Sequence, residues 1–173
     1  IAGYGIIGKR RRQNIDNNEY LETVAVCDKN YKHYELLNDG VKCYPDYQHL
    51  LKEEKLDVMF VSLPNYLAPE VTIASLEKGL HVFCEKPPGK NVEDVQKVLE
   101  VKHKNPSLKL KYGFNHRYHD SVKEALKIHT SKELGEVINL RGVYGKNGFV
   151  PFGSGWRAER QYAGGGILLD QGI

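Results

Sequence analysis

The feature that most constrains this chain is a repeated alternation of short apolar runs with helix-patterned segments. Glu22–Asp28, Val41–Tyr44, Asp57–Leu63, Leu80–Cys84 and Leu108–Gly113 read as strands. Runs such as Val58-Met59-Phe60-Val61 show no in-out alternation. A strand of that kind needs cover on both faces, which is the condition of a parallel sheet. Helical patterns separate the strands: Ile7–Asn17, Tyr31–Asn38, Asp46–Glu54, Leu67–Lys78 and Val92–His103. Parallel neighbours need crossover connections of this length. The expectation is an α/β fold, a doubly wound parallel sheet of Rossmann type. At 173 residues the chain is long enough to bury a substantial core.

The pattern changes after Phe114. Asp120–Thr130 reads as an amphipathic helix, and Gly135–Gly145 as one long strand with alternating apolar residues. Alternation marks a half-exposed, antiparallel sheet. A glycine-rich, aromatic loop then runs from Lys146 to Gly166. We place a domain boundary near Gly113, with a dinucleotide-binding domain over 1–113. The start of an α+β domain with a mostly antiparallel sheet covers 114–173. Ile1-Ala2 reads as the remnant of a central first strand, and Leu168–Ile173 as the first turns of a helix. The expectation is a fragment of a longer protein, inactive and poorly stable alone.

Composition narrows the classes of partner. Charged residues make up 27% of the chain and the net charge is +3, which is weak attraction for anions and poor support for nucleic acid. The run Lys9-Arg10-Arg11-Arg12 lies in the first helix and reads as a solvated face. Cys27, Cys43 and Cys84 lack metal-site spacing and read as buried free thiols of a cytoplasmic protein. No metal site and no membrane span are expected.

Gly3-Tyr4-Gly5-Ile6-Ile7-Gly8 fits G-x-G-x-x-G between a strand remnant and a helix. The next strand ends in Asp28, where such a fingerprint places its acid. Gly3 serves the tight turn, Gly5 the approach of a pyrophosphate, and Gly8 the packing of helix on strand. Ile6 and Ile7 open the helix whose free N–H groups face the phosphates. Asp28 accepts hydrogen bonds from ribose hydroxyls and repels a 2′-phosphate, so NAD is favoured over NADP. Pro64-Asn65 ends the third main strand and is expected at the nicotinamide end of the crevice.

The run Glu85-Lys86-Pro87 follows the Leu80–Cys84 strand. Pro87 has no N–H and a fixed φ, so the strand stops there and Lys86 is aimed by rigid chain. Near the end of the chain stands Gly164-Gly165-Gly166-Ile167-Leu168-Leu169-Asp170-Gln171-Gly172-Ile173. These pieces together resemble the Gfo/Idh/MocA oxidoreductases, the glucose-fructose oxidoreductase and inositol dehydrogenase family. Gly113–Tyr118 is similar to that family's crossover into its second domain. The resemblance implies hydride transfer between a nicotinamide and a secondary alcohol or ketone of a sugar, cyclitol or sugar nucleotide.

The same resemblance assigns catalytic roles to Lys86 and Asp170, and cofactor contacts to Glu85 and Lys86. It implies a histidine four residues after Asp170, the position following Ile173. A histidine, with a pKa near about 6.5, suits removal of the hydroxyl proton, while a lysine ammonium stabilises the developing alkoxide. The pattern departs at Ala68, where many members carry histidine in a P-N-x-x-H run. Asn115, Arg117, Trp156 and Arg157 are candidate substrate contacts, with His116 and Tyr144 as weaker ones. The expected partners are a small carbohydrate and, at full length, further copies of the same chain. Two alternatives stay open: an NAD-dependent glycosidase of the same fold, and a non-enzymatic dinucleotide sensor.

Overall fold

The computed structural model of the chain describes residues 1–143 and 155–172. Its sheet is built from two halves joined by a single short segment. In one half, β1 (Ala25–Cys27) pairs in parallel with β3 (Lys42–Tyr44), and β2 (Glu35–Leu36) pairs antiparallel with β3. In the other, β4 (Val58–Val61) pairs in parallel with β5 (His81–Cys84), which pairs in parallel with β6 (Leu110–Tyr112). Ala2 bridges in parallel to Cys27 on one side and to Val61 on the other. The spatial order is therefore β2-β3-β1-Ala2-β4-β5-β6. The winding direction reverses at Ala2, the position where open α/β sheets form their ligand crevice.

Burial explains why the strands lack alternation. Ala25 and Cys27 join Met59, Val61, Val82 and Cys84 in one core cluster. The intervening Val26 joins Ile1, Ile15, Val41 and Cys43 in another. Successive side chains of one strand thus enter two separate cores on opposite faces. Fully buried Leu50, Met59, Leu76 and Val98 tie helices to the first cluster. Each such side chain stabilises the fold by about 1.5–3 kcal/mol relative to exposure.

Five helices follow the sequence pattern: α1 (Ile6–Asp16), α2 (Tyr47–Glu53), α3 (Ala68–Glu77), α4 (Val92–Lys104) and α5 (Asp120–Ser131). Asp46 caps α2, its carboxylate accepting from the His49 N–H at 2.8 Å. Asn91 caps α4 in the same way through the Asp94 N–H at 2.9 Å. Two short helices, α6 (Arg160–Ala163) and α7 (Ile167–Gln171), close the described chain.

Two expectations fail. Tyr31–Asn38 is not a helix but contains β2. Asn38-Asp39-Gly40 supplies a tight turn, with Gly40 at φ 85° and the Leu37 N–H donating to the Val41 carbonyl at 2.9 Å. That turn folds the segment back onto β3, and pairing outweighs the helical spacing. Of the long strand expected over 135–145, residues 135–143 form no strand, and the last two lie outside the described residues. Ile138 is 98% exposed and Leu140 91%. An alternating strand needs a ladder partner for its N–H and C=O groups, and none pairs with it among the described residues.

The Lys9–Arg12 run is only half solvated. Lys9 and Arg10 are exposed. Arg12 instead pairs with Asp16 at 3.1 Å, with Asp39, and donates to the Tyr4 hydroxyl at 2.9 Å. Arg11 turns inward to Glu85.

Candidate active site

The carboxyl ends of the strands release Gly3, Asp28, Ser62, Glu85 and Gly113 along one edge of the sheet. At that edge the glycine loop is held by close backbone approaches. A Cβ on Gly3, at φ 87°, would lie 2.5 Å from the Ser62 carbonyl oxygen. One on Gly8 would lie 2.0 Å from the Gly3 carbonyl oxygen. A Cβ on Gly5 would meet nothing within 4 Å. Gly5 is also the N-cap of α1, which has no side-chain cap and no acid in its first turn. The first N–H groups of α1 therefore face open space and lack carboxylate partners, a fit for the diphosphate of a dinucleotide. Asp28 is oriented by two backbone donors, Tyr4 N–H at 2.8 Å and Asn30 N–H at 3.1 Å.

A cavity of about 870 Å³ opens in front of this loop. Its lining collects Gly5, Ile6 and Ile7, then Pro64 and Asn65, then Glu85 and Lys86. Asn115, Arg117, Trp156, Arg157 and Asp170 complete the set drawn from the sequence. Gly3, Gly8 and Asp28 are not lining residues; the two glycines set the close packing of the loop, and Asp28 holds it through the Tyr4 N–H. Tyr144 lies outside the described residues.

Lys86 and Asp170 meet although 84 positions separate them. Lys86 Nζ stands 3.3 Å from Asp170 Oδ1 and also donates to the Asp170 main-chain carbonyl. The Gln171 amide donates to Asp170 Oδ2 at 2.6 Å. Both partners are mostly withdrawn from solvent, with side chains 26% and 21% exposed, so the pair is poorly screened. The Arg157 guanidinium lies 4.2 Å from the Trp156 ring centre. Pro87 follows Lys86 through a cis peptide bond.

Asn65 lines the cavity and has a second, structural tie. It is 5% exposed and its amide donates to the Ala163 carbonyl at 2.8 Å. Tyr66, the next residue, packs against Tyr162 with ring centres 4.9 Å apart and planes tilted by 47°. Asn65 thus ties the β4 loop to α6 while one side of it faces the cavity.

Sequence reasoning missed Arg11, whose guanidinium pairs with Glu85 and covers the Phe83 ring at 5.0 Å. Nothing in the local pattern distinguishes it from Arg10. The three thiols are all free and buried. Burial pushes Cys27 up to about 11 and Cys84 up to about 12, so the thiols flanking Asp28 and Glu85 stay protonated.

Residues 1–114 match the family described as oxidoreductase family, NAD-binding Rossmann fold. The chain belongs to the Gfo/Idh/MocA oxidoreductases. Among the relatives of this Gfo/Idh/MocA chain is the D-glucoside 3-dehydrogenase of Escherichia coli. It is 33% identical over 88% of this chain and 44% of its own length. The inositol 2-dehydrogenase of Salmonella paratyphi B is 30% identical over 87% of this chain and 46% of its own. The crystal structure of myo-inositol 2-dehydrogenase from Lactobacillus plantarum superposes with a TM-score of 0.69 at 28% identity. It covers 79% of this chain and 42% of that one. The chain spans less than half the length of the curated relatives it matches.

Proposed function

We propose that the full-length protein is an NAD-dependent dehydrogenase acting on a secondary alcohol of a sugar, cyclitol or sugar nucleotide. The observation that carries this reading is a single cavity lined by both the glycine loop and the Lys86–Asp170 pair. The inositol and glucoside dehydrogenases among its relatives support the substrate class. When bound, the nicotinamide supplies the hydride acceptor. Gly5, Ile6 and Ile7 bind the diphosphate through the first turn of α1. Asp28 accepts from the adenosine ribose and repels a 2′-phosphate, which selects NAD over NADP.

Lys86 does the electrostatic work. Its ammonium stabilises the negative charge that develops on the substrate oxygen. Asp170 orients that ammonium at 3.3 Å, and Gln171 fixes the other carboxylate oxygen. Trp156 offers an apolar face to a sugar ring, and Asn115, Arg117 and Arg157 bind hydroxyls. Residues 1–113 bind the cofactor, and residues from 114 onward begin the substrate domain.

The test is Lys86→Ala in the full-length protein, assayed against a panel of inositols and glycosides by NADH absorbance. Turnover falls at least about a hundredfold, while NAD binding by calorimetry persists. Unchanged turnover removes Lys86 from the chemistry. Net NADH in proportion to product distinguishes a dehydrogenase from a redox-neutral glycosidase.

A further inference from the structure

We infer that Arg11 is a positioning residue that fixes the Glu85-Lys86-Pro87 turn and keeps the Glu85 carboxylate away from both Lys86 and the dinucleotide. The inference rests on the reading of this cavity as the cofactor site. Glu85 and Lys86 are consecutive, oppositely charged, and both line the cavity. Left to itself, such a carboxylate has two favourable or harmful options. It can pair with the neighbouring ammonium, or it can stand as a bare negative charge in front of an anionic ligand.

The structure gives it a third partner. The Arg11 guanidinium reaches from α1 and forms an ion pair with Glu85 Oε1 through two of its nitrogens. The pair is partly buried, with side chains 24% and 16% exposed. Arg11 lies over the Phe83 ring, which adds a cation–π contact and limits its swing.

The surroundings leave Glu85 little freedom. Its N–H donates to the Val61 carbonyl at 2.8 Å, which pins the backbone to β4. Its Oε2 fills the space above Gly113, where an added Cβ would stand 2.9 Å away. Gly113 N–H in turn donates to the Cys84 carbonyl at 2.8 Å. Three elements, α1, β5 and β6, therefore converge on one carboxylate. Lys86 hangs between this fixed residue and the fixed φ of Pro87, and its ammonium is left for Asp170.

Arg12 is the built-in control. It lies on the same helix and makes ion pairs of its own, yet its partners Asp16 and Asp39 are not among the cavity lining.

The experiment uses full-length Arg11→Ala, Arg11→Lys, Glu85→Gln, the Arg11→Ala/Glu85→Gln double variant, and Arg12→Ala. Two readouts are taken: acetylation of Lys86 by acetic anhydride, measured by mass spectrometry against exposed Lys55, and NAD affinity by calorimetry. Arg11→Ala changes the Lys86 labelling ratio by about threefold or more and weakens NAD by about tenfold, because a partly buried carboxylate is left uncompensated. Arg11→Lys, which keeps the charge and loses the fork, moves both readouts the same way but less. The double variant recovers most of the NAD affinity, since the offending charge is gone. Arg12→Ala leaves the Lys86 ratio unchanged even where it lowers the melting temperature. Wild-type values for both readouts in Arg11→Ala overturn the inference, as does a double variant that binds no better than the single one. A protein that fails to bind NAD yet keeps Arg11-dependent labelling refutes the cofactor reading and leaves the positioning role intact.

Discussion

Helices α3 and α5 are close in length, ten and twelve residues, and both carry apolar residues at helical spacing. Their fates differ. Ala68, Val71, Ser75 and Leu76 of α3 are buried beneath the sheet and against α4. No residue of α5 is buried; Val122 is 36% exposed and Leu126 55%. An apolar stripe states what a helix is able to bury. Whether it does so depends on a partner surface, and in this chain the parallel sheet provides one only up to β6.

The comparison is sharpest at single leucines. Leu76→Ala removes a fully buried side chain and destabilises the 173-residue chain by about 3 kcal/mol in urea unfolding. A cost near zero would mean that the α3 interface does not contribute to the cooperative unit.

A smaller effect is expected at the α2 cap, which α5 lacks. Asp46→Ala costs about 1 kcal/mol at neutral pH. Burial alone would raise the Asp46 carboxyl, but the His49 N–H and ring override it and hold the group below the ordinary carboxylate range. A depressed carboxyl contributes stability above its unfolded pKa, near about 4, and loses it as pH falls through the lower folded value. The gap between wild type and Asp46→Ala, measured by urea unfolding at several pH values, therefore holds from neutrality down to about pH 4 and closes below it. A gap that persists at about pH 2 breaks the assignment.

The smallest effect belongs to α5. Leu126→Ala changes the stability of this chain by less than about 0.5 kcal/mol. If the same substitution costs far more in the full-length protein, the α5 face is covered there, and the contrast with α3 belongs to the length of chain rather than to the helix.

Much of the fold was legible because its signals are local. Val58–Val61 and Val82–Cys84 are apolar without alternation, and both lie in parallel strands. Asp46 opens a helical pattern in the sequence, and its carboxylate accepts from the His49 N–H at the start of α2. The cavity lining was readable because strand ends and glycine turns fix where chain leaves the sheet. The failures share a different cause. Tyr31–Asn38 has helical spacing, but its Asn38-Asp39-Gly40 turn and the adjacent β3 decide its conformation. Residues 135–143 have strand alternation without a strand beside them among the described residues. Arg11 looks like its neighbours until Glu85, 74 positions away, is brought under it. Asn65, expected at the crevice, lines it and also serves Ala163 through its amide, a contact 98 positions away. What sequence withheld was the partner: the adjacent β3 for Tyr31–Asn38, and a residue far along the chain for Arg11.

Ala2 gives the sheet one further property. Its N–H donates to the Phe60 carbonyl at 2.8 Å, and its own carbonyl accepts from Ser62 N–H at 2.7 Å. On the other side the Gly3 N–H donates to the Cys27 carbonyl at 2.9 Å. Each half-sheet draws on nearby stretches of chain, but their union closes a loop of about sixty residues. The entropy of that closure grows only as the logarithm of loop length. A handful of hydrogen bonds at Ala2, together with the core that Ala25 and Cys27 share with Met59, Val61 and Val82, closes that loop, and the crevice above the glycine loop exists only once the two halves have met.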